Sequence, residues 1–186
     1  MTVADLLTLS RILLIAPFAA MFFVDAPWGL TAACLIFVVA AATDFLDGRV
    51  ARARGETSAL GAALDPLADK LLIAAALVLL IRNGVIRDGG VVAALAIILR
   101  EILVGGLREA LGRQGAALAV TPLAKWKTTA QMAAVALLLA SAPTGVADAG
   151  WRPVASLVLW LAAILTIVTG ADYCRRAVGL LRAWPG

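Results

Sequence analysis

Val154-Ala-Ser-Leu-Val-Leu-Trp-Leu-Ala-Ala-Ile-Leu-Thr-Ile-Val-Thr-Gly-Ala171 carries no charged side chain. Coiled into a helix it comes close to the hydrocarbon thickness of a bilayer, about 30 Å. Reading back from this run, further apolar segments cover 128–142, 91–111, 66–81, 28–43 and 6–24. The segment over 91–111 is interrupted by Arg100 and Glu101, and the first contains Pro17. The chain is 63% hydrophobic and only 15% charged, with a mean hydropathy of +0.99. Soluble domains are about half apolar and a quarter charged, so the solvent expected here is lipid. Six helices of about 20 residues each, with their short connections, leave little of the 186 positions over. That leaves a single membrane domain over 1–186 and no separate soluble one.

The charges lie between the apolar segments. Loops after the first, third and fifth segments carry Arg82, Arg87 and Arg152. The other side carries Arg49, Arg52, Arg54, Arg108, Arg113, Lys125, Lys127, Arg175, Arg176 and Arg182. The positive-inside rule then gives an all-α integral membrane protein with six transmembrane helices and both termini cytoplasmic. The net charge of +4 is explained by topology and anionic lipid. It forms no basic patch with interleaved aromatics, so nucleic acid is excluded as a partner.

Histidine is absent, which removes the usual proton shuttle and the commonest metal ligand. Cys34 and Cys174 fall in separate segments and read as inert small residues. Acid–base or metal chemistry therefore falls to carboxylates.

Asp44 and Asp47 are three apart at the end of the second segment, and Asp65 and Asp69 four apart at the start of the third. On helices these spacings put each pair on one face. Both pairs sit at the cytoplasmic boundary, joined by a polar stretch over 44–65, so the four can converge between neighbouring helices. Clustered carboxylates at a membrane boundary repel one another and resist desolvation. A divalent cation relieves both, and hard oxygen ligands suit Mg²⁺ or Mn²⁺. Four carboxylates can hold two ions, an arrangement used for displacement at phosphorus. The competing reading, acids that merely cap helices or pair with nearby arginines, fits one aspartate better than four in register. A small cation transporter is the alternative from another class, but the acids gather at one boundary instead of crossing the membrane.

Asp44-Phe-Leu-Asp47-Gly48-Arg-Val-Ala51-Arg52, followed by Gly61, Asp65 and Asp69, resembles the signature of the CDP-alcohol phosphotransferase family at every fixed position. The resemblance implies a homodimeric, metal-dependent enzyme that displaces CMP from a CDP-linked lipid with an alcohol. It assigns Asp44, Asp47 and Asp65 as metal ligands, and Asp69 as both ligand and general base. Asp47 and Gly48 would lie at the CDP-diacylglycerol, with Arg52 on its diphosphate and Ser58 and Gly61 near the nucleotide. Asp5 and Thr8 resemble a short N-terminal motif that also contacts the CDP moiety; Asp5 equally suits a helix N-cap.

Further stretches resemble the phosphatidylglycerophosphate synthases of that family: Leu6-Leu-Thr-Leu-Ser-Arg-Ile12, Asp65-Pro-Leu-Ala-Asp-Lys-Leu71, Arg100-Glu-Ile102 with Leu107-Arg-Glu109, and Lys125-Trp-Lys-Thr128. The acceptor so implied is sn-glycerol 3-phosphate, a dianion needing a cationic pocket. Arg108, Lys125 and Lys127 are the expected phosphate contacts. Arg100 either joins them or pairs with Glu101 or the acidic cluster. Phosphatidylglycerol (as in cardiolipin synthases) and inositol phosphate remain alternative acceptors. The implied location is a bacterial inner membrane, with the site facing the cytoplasm.

Overall fold

The computed structural model describes residues 3–54, 59–113, 121–143, 145 and 149–182; the side chains of 3, 4, 7, 44–54, 59, 60, 62, 63, 149, 181 and 182 lie outside that description. The described residues form six α-helices and no strand. These are α1 (Val3–Met21), α2 (Gly29–Arg54), α3 (Ala59–Arg82), α4 (Gly89–Arg113), α5 (Pro122–Ala140) and α6 (Arg152–Arg182). A 3₁₀ turn, Ala149–Trp151, leads into α6.

Four boundaries differ from the sequence expectation. The polar stretch after 43 is not a loop at its start, because α2 runs on to Arg54. Likewise α3 begins at Ala59 and takes Pro66 into its second turn, where the missing N–H removes one bond without ending the helix. The Lys125–Lys127 stretch lies in the first two turns of α5: Thr121 caps the helix, with Ala124 N donating to Thr121 Oγ1 at 3.3 Å, and Pro122 takes the first helical position. Finally, the expected tail after 171 is helical to Arg182. There Asp172 and Arg176 pair one turn apart, Oδ2 to Nη2 at 2.9 Å.

The helices fall into two compact units. The first comprises Met1–Arg87 with Val135–Ala155. In it α1 packs against α2 and α3. Ala68, Leu72, Ala76 and Leu80 on α3 are fully buried, a four-residue spacing that makes one helix face the core. Phe18 of α1 sits edge-on to Phe22 at 5.2 Å and 6.0 Å from Phe37 of α2. At one end of the unit Thr8 and Arg11 meet Asp65 and Asp69; at the other Arg82 and Asn83 donate to the Phe22 carbonyl at 3.3 Å. Helices α1 and α3 therefore run parallel in steady register. A Schellman motif closes α3: Val85 N reaches Leu80 O at 2.9 Å, Gly84 N reaches Ile81 O at 2.9 Å, and Gly84 takes φ 65°.

The second unit comprises Asp88–Ala134 with Ser156–Gly186. Gly89 lies by Trp160, Arg100 by Thr169 and Gly170, and Leu111 packs with Ala177. Helices α4 and α6 thus also run parallel. Helix α5 opposes them, since Ala124 packs near Leu111 and Tyr173 while Gln131 reaches Thr166.

Among the described residues, two helices are long and apolar enough to cross a membrane, Gly89–Arg113 and the Arg152–Leu180 part of α6; the apolar stretches Thr8–Met21 of α1 and Gly29–Thr43 of α2 are shorter. On α4 the outward residues Val92, Leu95, Leu99, Ile102 and Leu103 are each more than half exposed. An apolar stripe this continuous suits lipid and not water.

Candidate active site

Helix α1 supplies the floor of the first cluster. Thr8 and Arg11 are three apart, so they share a face, and both are buried. Thr8 Oγ1 donates to Asp65 Oδ1 at 2.7 Å. Arg11 Nη1 donates to Asp69 Oδ1 at 3.0 Å and lies 4.0 Å from Asp65 Oδ1. Asp65 and Asp69 are one turn apart on α3, their side chains 48% and 27% exposed, while that of Arg11 is 0% exposed. The cation lies behind the acids, and the acids face outward.

Asp5 is buried in the first turn of α1. It is inside the helix and not at its cap, and a carboxylate there still complements the helix dipole. Asp44, Asp47, Gly48 and Arg52 lie on α2, whose helical backbone keeps Asp44 and Asp47 one turn apart on one face; the side chains of these residues lie outside the described residues, as does Ser58. Gly61 is in the first turn of α3. Arg11 is the residue that sequence reading left without a role. Its signal was an arginine set inside an apolar segment, which demands a partner.

A pair of outward-facing carboxylates one helical turn apart, each held through Oδ1, fits a hard divalent cation and offers it oxygen donors only.

The second cluster centres on Glu101 of α4. Its Oε1 accepts from Lys127 Nζ of α5, from Arg100 Nη1 at 3.1 Å and from Gln131 Nε2 at 3.3 Å. Arg100 Nη2 also donates to Thr169 Oγ1 at 3.0 Å, and Gln131 Nε2 to Thr166 Oγ1 at 2.9 Å. The Arg100 guanidinium stands 5.6 Å from the Tyr173 ring centre. Arg100 therefore pairs with Glu101, one of the roles open to it from sequence. Lys127 is buried against the same carboxylate, whereas the expected phosphate contacts Arg108 and Lys125 are exposed. Among the described residues neither of those side chains forms a hydrogen bond or ion pair. Among the described residues, two cations face one carboxylate within a largely buried setting.

The family model for CDP-alcohol phosphatidyltransferases matches residues 1–168. The chain belongs to that family. A CDP-diacylglycerol–glycerol-3-phosphate 3-phosphatidyltransferase from Cereibacter sphaeroides is 35% identical over 97% of this chain and 97% of its own length. A CMP-forming cardiolipin synthase from Oryza sativa subsp. japonica is 42% identical over 76% of this chain and 46% of its own length. Among solved structures, the phosphatidylinositol phosphate synthase of Mycobacterium tuberculosis in complex with manganese and citrate superposes with a TM-score of 0.64 at 20% identity, covering 95% of this chain and 82% of that one. The same enzyme with CDP-diacylglycerol bound gives a TM-score of 0.65 at 18% identity, covering 95% of this chain and 86% of that one. This phosphatidyltransferase thus shares their all-helical fold.

Proposed function

We propose that the chain transfers the phosphatidyl group of CDP-diacylglycerol to sn-glycerol 3-phosphate, giving phosphatidylglycerophosphate and CMP. The observation that carries the chemistry is the Asp65–Asp69 pair, presented outward on α3 and held from behind by Thr8 and Arg11. The choice of acceptor is supported by the Cereibacter sphaeroides relative, which aligns over nearly its whole length.

In this reading Asp44, Asp47, Asp65 and Asp69 hold two Mg²⁺ or Mn²⁺ ions, which when bound supply Lewis-acid stabilisation of the diphosphate charge. Arg52 orients the diphosphate, with Asp5, Thr8, Asp47, Gly48, Ser58 and Gly61 around the CDP moiety. The Asp69 carboxylate accepts the proton of the C1 hydroxyl. The hydroxyl oxygen then bonds to the β-phosphorus, the bond from that phosphorus to the bridging oxygen breaks, and CMP leaves. Arg108 and Lys125 at the surface, with Lys127 and Arg100, hold the phosphate of glycerol 3-phosphate. The chain forms one domain of six transmembrane helices with both termini and the site on the cytoplasmic face of a bacterial inner membrane, and it works as a homodimer. The uneven loop charge supports that topology.

The deciding experiment offers labelled CDP-diacylglycerol and Mn²⁺ to the detergent-purified chain, with glycerol 3-phosphate, inositol phosphate or phosphatidylglycerol in parallel. CMP release is expected with glycerol 3-phosphate. Release with phosphatidylglycerol alone transfers the assignment to cardiolipin synthesis, a reading the rice relative supports. No release with any acceptor overturns the transferase reading.

A further inference from the structure

We infer that Arg11 is a resident counter-cation of the acidic pair, a positioning residue that holds Asp65 and Asp69 in place before metal arrives and lowers their affinity for it. The inference deepens the metal-dependent transferase reading above and rests on it.

Three observations carry it. The Arg11 side chain is completely buried, yet its guanidinium is 3.0 Å from Asp69 and 4.0 Å from Asp65. Burial of a guanidinium is strongly unfavourable without an opposite charge, and here that charge comes from the two acids. Second, the exposure is lopsided. Asp65 and Asp69 keep 48% and 27% of their side-chain surface while Arg11 keeps none. A salt bridge serving stability alone gains nothing from leaving its acids accessible; acids that must take up a further cation need that access. Third, Thr8 fixes the same oxygen of Asp65 that Arg11 approaches. One face of α1 thus presents two donors three residues apart to two acceptors four residues apart on α3. Two carboxylates a turn apart repel each other. Arg11 offsets that repulsion continuously, and its charge opposes every incoming cation.

The test uses the full chain in detergent, stripped with chelator and titrated with Mn²⁺ alone. Metal binding is read from the electron paramagnetic resonance of free Mn²⁺, and melting temperature is read in parallel. Arg11→Gln should melt lower than wild type without metal, and the gap should narrow at saturating Mn²⁺. Its half-saturating Mn²⁺ concentration should fall by about tenfold, the scale of removing one positive charge beside a divalent ion in a partly solvated site. A melting gap that Mn²⁺ leaves unchanged, or a half-saturation point unmoved or raised, overturns the inference. If Arg11→Gln does not fold, the double variant Arg11→Gln with Asp69→Asn decides. Recovery of folded protein supports charge compensation, and continued loss overturns it. A wild-type chain that neither binds Mn²⁺ nor melts differently with it instead removes the metal reading on which the inference stands. No substrate enters either readout, so failure of the acceptor assignment would be separately visible.

Discussion

Lys127 and Glu101, 26 positions apart in sequence, meet between α5 and α4 with the ammonium donating to Oε1, their side chains only 6% and 13% exposed. Arg100 and Gln131 converge on the same oxygen. One carboxylate therefore ties α4 to α5, and through Arg100–Thr169 and Gln131–Thr166 the network reaches α6.

Glu101→Gln removes the buried carboxylate that Arg100 and Lys127 share, so it should destabilise the protein by about 3–5 kcal/mol. Lys127→Met leaves Glu101 with Arg100 and Gln131, so its effect should be smaller, about 2 kcal/mol. Removing the exposed Glu109–Arg113 pair, with 67% and 78% of its side-chain surfaces accessible, should change stability by less than about 1 kcal/mol. Denaturation in detergent ranks the three; equal effects for Glu101→Gln and Arg113→Ala would refute the network's role.

Asp69→Asn should lower CMP release by about 10²–10⁴-fold, the range expected for loss of a general base, while circular dichroism shows the helices intact. Release near the wild-type rate would remove Asp69 as the base.

Thr8→Val keeps the shape of the side chain and deletes the donor to Asp65. A hydrogen bond to a charged acceptor contributes about 1.5–3 kcal/mol. Turnover should fall by about tenfold or more, and Thr8→Ser should restore most of it. If valine and serine variants turn over alike, the hydroxyl does not position Asp65.

Two glycines of α6 should respond with opposite sign. A Cβ on Gly170 would lie 2.8 Å from Arg100 Cγ. Gly170→Ala must therefore push Arg100 off Thr169, a destabilisation of about 1–3 kcal/mol. Nothing lies within 4 Å of a Cβ on Gly179, so Gly179→Ala should stabilise by about 0.5–1 kcal/mol through helix propensity. Paired melting curves check both signs.

The helices were legible because an apolar run long enough to span lipid has few other uses, and the α3 aspartates because a four-residue spacing fixes one face. Helix ends were less legible. The Lys125 and Lys127 charges suggested a loop, although Thr121 and Pro122 already spelled a helix start. Arg175 and Arg176 suggested a tail, although Asp172 one turn before Arg176 supports continued helix. Arg11 shows the deeper limit. A lone charge among apolar residues announces that a partner exists, but only the parallel packing of α1 on α3 says that the partners, Asp65 and Asp69, lie 54 and 58 positions away. The same holds for Lys127, whose sequence suggested an open contact with phosphate and whose neighbour in space is Glu101.

The placement of Thr8 and Arg11 also bears on how alleles of this gene should be interpreted. Substitutions on that face of α1 would be recovered in a random screen as loss of function, although the helix lies outside the aspartate motif. A ranking of variant severity by the aspartate motif alone would therefore place substitutions at Thr8 and Arg11 too low.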